Sequence, residues 1–250
     1  MKYMLLMYGA ENAWTPEERE ACMIDSYRIC DELASQGKFL SAAPLQSVTT
    51  AATVRVRGDR PMITDGPFAE TTEQLGGFFL LELNDLDEAI AVASRLPPVT
   101  KGAAEIRPVF ALDGLPPTRP IPASDDSGRT PFLLLCYDDE AAWREAGPKA
   151  LREAMEEAAG LARKLAETGQ YLESSPLHPS ATGTCVRMRN GKREITDGPF
   201  VETNEVLGGF HLILAESRDE AVEFAKQHPG ARFGAVEVRP LFDTSAIRNS

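Results

Sequence analysis

Two segments of this chain are nearly the same sequence. Residues 63–78 read ITDGPFAETTEQLGGF and residues 195–210 read ITDGPFVETNEVLGGF, identical at thirteen of sixteen positions and 132 residues apart. The same offset pairs Gly37 with Gly169, Pro44 with Pro176, Arg55 with Arg187, and Arg107-Pro108 with Arg239-Pro240. Nearer the start of each copy the offset is 129, pairing Tyr8 with Tyr137 and Trp14 with Trp143. A loop-sized difference of three residues therefore lies between that Trp and the end of the first helix. Self-similarity at a fixed offset means one structural unit built twice. The chain divides accordingly into a first domain over 1–112, a linker over 113–130, a second domain over 131–243 and a tail over 244–250. The linker holds Pro116, Pro117, Pro120 and Pro122, then Ser, Asp and Gly, a composition stiff first and flexible later. Extended at ~3.1 Å per residue, it lets the second copy dock against the first.

Each copy reads as the same string of elements. Tyr3 to Tyr8 is an apolar strand run. Thr15-Pro16-Glu17-Glu18 then offers an N-cap Thr, a Pro at the first helical position and a Glu three after the cap. Met23, Tyr27, Cys30 and Ala34 recur at helical spacing up to Gly37. Copy two repeats this from Gly147-Pro148 to Gly169. Short strands follow at Phe39–Leu45, Thr53–Arg57 and Met62–Thr64, with a turn at Gly58-Asp59 matched by Asn190-Gly191. After the DGPF segment come a strand over Phe78–Leu83, a helix capped by Asp85 (Ser217 in copy two) and a last strand through Glu105–Phe110. The order is β-α-β-β-α-β with a hairpin added in the middle, the split βαβ or ferredoxin-like arrangement. Phe78 and Leu80 lie on one face of their strand, and Phe79, Leu81 and Leu83 on the other. Strands apolar on both faces are buried on both. The helices cover one face, and the sister copy's sheet covers the other. The expected fold is α+β: two ferredoxin-like units packed sheet to sheet as an intramolecular dimeric α+β barrel, with any cleft between the sheets or at their edges.

The formal net charge of −12 lacks the cationic stripe that nucleic acid or an anionic membrane surface requires. No run approaches the ~20 apolar residues of a membrane span, and the short apolar start is no convincing leader. Cys22, Cys30, Cys136 and Cys185 form no CxxC pair and no metal-site spacing. They read as reduced, packed thiols of a cytoplasmic protein. No metal and no cofactor is expected.

The DGPFxETxExLGGF segment is the specific motif. Asp65-Gly66-Pro67-Phe68 has the residue types of a tight turn. Phe68 and Phe200 can plug a pocket, while Glu70 with Glu73, and Glu202 with Glu205, share a face if the stretch is one helical turn. Three readings stand side by side: a turn that positions the central strand, a cleft-lining loop whose carboxylates meet a ligand, and a hard-cation site. His178, His211 and His228 all fall in copy two. His211, aligned with Phe79, is either a satisfied core histidine or a cleft residue oriented by Asp197. His228 at a helix end favours the dipole. Arg107 and Arg239 suit an ion pair with a DGPF-segment carboxylate or an anionic ligand.

The motif, twice present with matching flanks over nearly all of both copies, resembles the YCII-related (DGPF-domain) family in tandem. That resemblance implies a ferredoxin-like fold assembling as an α+β barrel, action of some relatives on small molecules, and gene neighbourhood with extracytoplasmic-function sigma factors. Some members are thought to use a His–Asp pair with the His near the start of the first helix. Neither first helix here contains a His. The expected function is a small-molecule-binding protein or enzyme, its reaction open, with a site between the two copies. The candidate ligand-binding residues are Asp65, Phe68, Glu70, Glu73, Arg107, His178, Asp197, Phe200, Glu202, Glu205, His211 and Arg239. The alternative is a non-catalytic interaction or accessory module linked to a sigma-factor-controlled stress response. The expected assembly is a pseudo-dimer within one chain.

Overall fold

A computed structural model describes residues 1–69, 71–122, 127–201 and 203–248. The first copy runs β1 (Lys2–Gly9), α1 (Pro16–Ser35), β2 (Phe39–Pro44), β3 (Ala52–Arg57), β4 (Arg60–Asp65), β5 (Gln74–Glu82), α2 (Leu86–Arg95) and β6 (Ala103–Pro108). The second runs β7 (Thr130–Asp139), α3 (Glu140–Glu167), β8 (Tyr171–Pro176), β9 (Thr184–Arg189), β10 (Lys192–Asp197), β11 (Glu205–Ala215), α4 (Arg218–Gln227), α5 (Gly230–Phe233), β12 (Gly234–Pro240) and α6 (Ser245–Arg248).

The local signals build these elements directly. Thr15 and Glu18 close a reciprocal capping box at α1, with Glu18 N donating to Thr15 Oγ1 at 3.2 Å and Thr15 N to Glu18 Oε2 at 3.0 Å. Asp85 caps α2 and Ser217 caps α4 by accepting from Glu88 N and Glu220 N, and those glutamates reach back to Asn84 N and Glu216 N, one residue before the cap. Copy two departs from the expected helix start. Asp139 caps a helical segment already under way at Glu140, and Gly147 (φ 85°) breaks it before Pro148 opens the main length. Copy one has only a short 3-10 turn at Glu11–Ala13 in that place, and here the two copies differ in length.

The strands form two six-stranded antiparallel sheets, ordered β10-β9-β6-β1-β5-β2 and β4-β3-β12-β7-β11-β8. Each copy therefore lends its middle hairpin to the other copy's sheet, where the sequence suggested that each unit keeps its own. β9 pairs with β6 through Ala104↔Val186, Glu105↔Cys185 and Ile106↔Thr184. β3 pairs with β12 through Val236↔Val54, Glu237↔Thr53 and Val238↔Ala52. Bridges at Leu45↔Leu241 and Val109↔Leu177 tie the two sheets at their corners.

The alternation of side chains then fixes three layers of core. Leu5, Phe79 and Leu81 face Leu33 of α1 and Ala89 and Ala93 of α2. Met4, Leu6, Phe78 and Leu80 face the sister sheet's Leu133, Leu135, Phe210 and Leu212, so the two sheets pack face to face. A third cluster, with Leu134, Ile213 and Val236, lies under α3 and α4. Among the described residues no helix is long and apolar enough to cross a membrane.

Candidate functional site

The exchanged hairpins carry each DGPF turn into the other copy. Gly66 and Gly198 take φ of +100° and +99°, a conformation open to glycine and strained for L side chains. Their amides bond back to Ala51 O at 3.0 Å and Gly183 O at 2.8 Å. This turn aims Phe68 at Tyr137, ring centroids 4.1 Å apart, and Phe200 at Tyr8, centroids 4.3 Å apart. Both pairs are stacked.

Beneath each stack sits a buried ion pair. Glu105 and Arg107 are two residues apart on β6, so they share a face, and that face is turned to the sister sheet. Arg107 Nη1 meets Glu105 Oε1 at 3.1 Å and Nη2 donates to His178 O at 2.6 Å. The second oxygen of Glu105 accepts from Phe200 N at 3.0 Å. Copy two repeats the arrangement: Arg239 Nη1 with Glu237 Oε1 at 3.1 Å, Nη2 with Gln46 O at 2.7 Å, and Glu237 Oε2 with Phe68 N at 2.8 Å. Arg107 and Arg239 are each 1% exposed, and the Nε of each has no partner among the described residues.

A second, outer pair of ion pairs crosses between the copies. Arg55 of β3 grips Glu205 with both nitrogens, at 2.6 and 2.9 Å, while its guanidinium lies 5.2 Å from the Phe68 ring centre. Arg187 of β9 grips Glu73 at 3.2 and 3.3 Å, 5.1 Å from the Phe200 ring centre. These elements border a partly open cleft of about 70 Å³, lined from both copies. Tyr8 and Tyr137 reach into it. Burial holds both phenols well above their ordinary range. Glu105 adds to the effect on Tyr8 and Glu237 to that on Tyr137, against the opposing Arg107 and Arg239. Both are therefore neutral hydrogen-bond donors at ordinary pH.

Of the residues singled out from sequence, Phe68, Glu73, Arg107, Glu205 and Arg239 line this cleft, and Phe200 stacks at its wall. Glu70 and Glu202 lie outside the described residues. The stretch before Glu73 is irregular, not the helical turn considered. Asp65 and Asp197 are exposed at the hairpin ends, with Asp65 3.0 Å from Arg218. Asp197 therefore orients no histidine. His178 contributes its carbonyl, its ring resting edge-on against Phe110. His211 is on the other side of its strand. Neighbours Phe210 and Leu212 face the sister sheet, so alternation turns His211 under the helices, beside His228 at 4.7 Å between ring centres. It is not a satisfied core histidine either: its Nδ1 is buried without a partner among the described residues. Burial lowers His211 to about 4 and holds His228 well below the usual imidazole range. The partners of Arg107 and Arg239 are not DGPF-segment carboxylates but Glu105 and Glu237, the residues two earlier on the same strand face.

Tyr8, Tyr137, Arg55, Arg187, Glu105 and Glu237 are site residues the sequence reading did not single out. All six recur at the repeat offsets, and that recurrence at polar or aromatic positions was the available signal.

These features define a duplicated α+β protein whose two copies share one polar cleft on their pseudo-twofold axis. The chain belongs to the YCII-related domain family, which matches residues 1–113 and 130–245. An uncharacterized protein of Rhizobium meliloti (strain 1021) is 40% identical over 115 residues, covering 44% of this chain and 92% of that protein. Among solved structures, a mutant chlorite dismutase from Candidatus Nitrospira defluvii aligns with TM-score 0.43 and 11% identity, over 99% of this chain and 94% of that one. The chlorite dismutase of the same organism in complex with imidazole aligns with TM-score 0.41 and 11% identity, over 99% and 93%.

Proposed function

We propose that this protein binds a small molecule in the cleft between its two copies, through acceptor oxygens on a compact, partly apolar body. One observation carries the reading: both copies converge a neutral tyrosine and a buried Arg–Glu pair on a single cleft. Small-ligand sites take this form, an enclosed surface with few, convergent polar groups. The two phenols offer donors, and the stacked Phe rings offer flat apolar walls. Membership of the YCII-related family supports a small-molecule-binding or enzyme-like module. With its net charge of −12, the chain suits neither nucleic acid nor an anionic membrane surface.

The test is native mass spectrometry of the gently purified chain, followed by a thermal-shift screen of small carboxylates and enolisable carbonyl compounds. A ligand held at 100 times its dissociation constant stabilises the fold by about 2.7 kcal/mol. The expected result is stabilisation that the Tyr8→Phe/Tyr137→Phe variant loses. Stabilisation fully retained in that variant, or none across the screen, overturns the reading.

One observation favours the interaction-module alternative. β4 and β10 are exposed along their whole length, with Met62, Ile63 and Ile195 open to solvent. That alternative expects a doubled mass in the same native spectrum, abolished by charged replacements at those three residues.

A further inference from the structure

The two copies differ in chemistry at one buried spot under the helices. In copy one Met7, Phe79 and Leu96 pack together under the helices, 5%, 8% and 1% exposed. Met7 and Phe79 also border a partly open apolar cavity of about 130 Å³ between α1 and its sheet. The equivalent positions of copy two hold Cys136, His211 and His228, 3%, 5% and 7% exposed. The equivalence is structural: Met7 faces Gly77 in the β1–β5 ladder as Cys136 faces Gly209 in the β7–β11 ladder. Leu5 faces Phe79 as Leu134 faces His211. Leu96 and His228 are the residues that end α2 and α4, with φ of −70° and −71°. A fourth position follows suit, Gly9 at the end of β1 becoming Asp138. Three of these positions carry no ligand group in copy one and the fourth only the thioether of Met7, whereas copy two carries a thiol, two imidazoles and a carboxylate.

The geometry is close. The Cys136 sulfur lies 3.6 Å from His228 Nδ1 and 3.7 Å from Nε2. One ligand atom from each of Cys136, His211 and His228 can be chosen so that all fall within 4.8 Å of one another. A tetrahedral ion with metal–sulfur bonds of ~2.3 Å and metal–nitrogen bonds of ~2.0–2.1 Å needs such atoms roughly 3.4 to 3.6 Å apart. The unpartnered His211 Nδ1 points independently to a missing partner. His228 Nδ1 accepts from Gly230 N at 3.0 Å, so Nε2 carries the ring proton. An ion taken at Nδ1 replaces that amide and leaves the tautomer unchanged.

We propose that Cys136, His211 and His228 form a site for a borderline divalent ion of the Zn²⁺ class, present in copy two only. Thiolate and imidazole are the ligands such ions prefer. Asp138, two residues beyond Cys136 on the same side of β7, stands outside the trio's 4.8 Å cluster and reaches the fourth position through a water. Binding displaces the thiol proton to solvent and ties β7, β11 and the end of α4 together. The burial of all three ligands, 3%, 5% and 7% exposed, leaves no open position for a substrate and suits a structural ion better than a turnover site. This site is separate from the inter-copy cleft and does not depend on what that cleft binds.

The experiment is titration of the full chain with Zn²⁺ against a competing chelator, and with Co²⁺ followed by absorption. The expected result is one ion per chain, tetrahedral d–d bands and a thiolate-to-Co²⁺ charge-transfer band in the near ultraviolet. The Cys136→Ser variant loses the charge-transfer band. The Cys136→Met/His211→Phe/His228→Leu variant adopts the trio copy one already packs, so it keeps its fold by circular dichroism and binds at least 100-fold more weakly. His178→Gln leaves binding unchanged. Equal binding by the wild type and the triple variant, or no stoichiometric ion in the wild type, overturns the proposal. A wild-type Co²⁺ spectrum without sulfur character does so without recourse to any variant.

Discussion

At the scale of single residues, this protein sets charges inside itself and neutralises them locally. Breaking a buried pair such as Glu105–Arg107 by removing one partner costs about 3–5 kcal/mol, because the other is left uncompensated. The bonds from Phe200 N and to His178 O tie that pair to the exchanged hairpin's copy, so it also fixes where the hairpin sits. Glu173 of β8 is different. It is buried, with Lys2 of the other copy 3.6 Å away. Burial raises its carboxyl above the usual range, and Lys2 only partly opposes this. The sign follows from linkage: below the unfolded value both states hold the proton. As pH rises from there through the folded value, the unfolded chain ionises first and stability is lost. Glu173→Gln is therefore expected to flatten the fall in melting temperature from pH 4.5 toward neutrality, and Lys2→Met to steepen it, at a cost on the order of 1 kcal/mol at pH 7. Parallel melting curves for all three proteins would show that Glu173 titrates as it does in the unfolded chain.

At the scale of elements, the DGPF turn is the joint on which the cleft depends. A Cβ at Gly66 or Gly198 meets nothing within 4 Å, so an alanine there suffers from backbone conformation alone. Each Gly→Ala change is expected to cost about 1–2 kcal/mol in chemical denaturation, with the Tyr–Phe stack of that half loosened. A change below about 0.5 kcal/mol would mean the turn relaxes freely and positions nothing. The helices were legible from sequence because caps are local: Thr15 with Glu18, Asp85 with Glu88, Ser217 with Glu220. The two-sided burial of β1 and β5 was legible from alternation, and so was the sister sheet as its cover. The destination of the hairpins was not. β6 and β12 present the same Glu-x-Arg edge, and the hairpins are near repeats, so nothing local tells β3 to join β12 rather than β6. Tyr8 and Glu105 went unmarked for the same reason. Their role comes from Phe200, which reaches them only through the exchange.

At the scale of the molecule, the exchange makes two sequence copies into one body. Each sheet is completed by strands of the other copy, and the layer between the sheets draws Met4, Leu6 and Phe78 from one copy and Leu133, Leu135 and Phe210 from the other. Pulling the copies apart would open two cross-copy ladders, both Arg–Glu grips and that apolar layer at once. Tyrosine stacks and main-chain bonds to buried carboxylates would break with them. The covalent connection is then a convenience of synthesis and not what holds the halves together. A protease site inserted at residues 123–126 and cut after folding should leave a one-to-one complex with the mass of the intact chain, 27.2 kDa plus the insertion. Its circular dichroism should be unchanged, and so should any stabilisation by a cleft ligand. Closing a loop of this length contributes only a few kcal/mol of chain entropy, against an interface that supplies the inner face of both sheets. If the cut halves separate on dilution to micromolar concentration, the hairpins do not interlock the copies, and the shared cleft would exist only while the linker holds its two sides together.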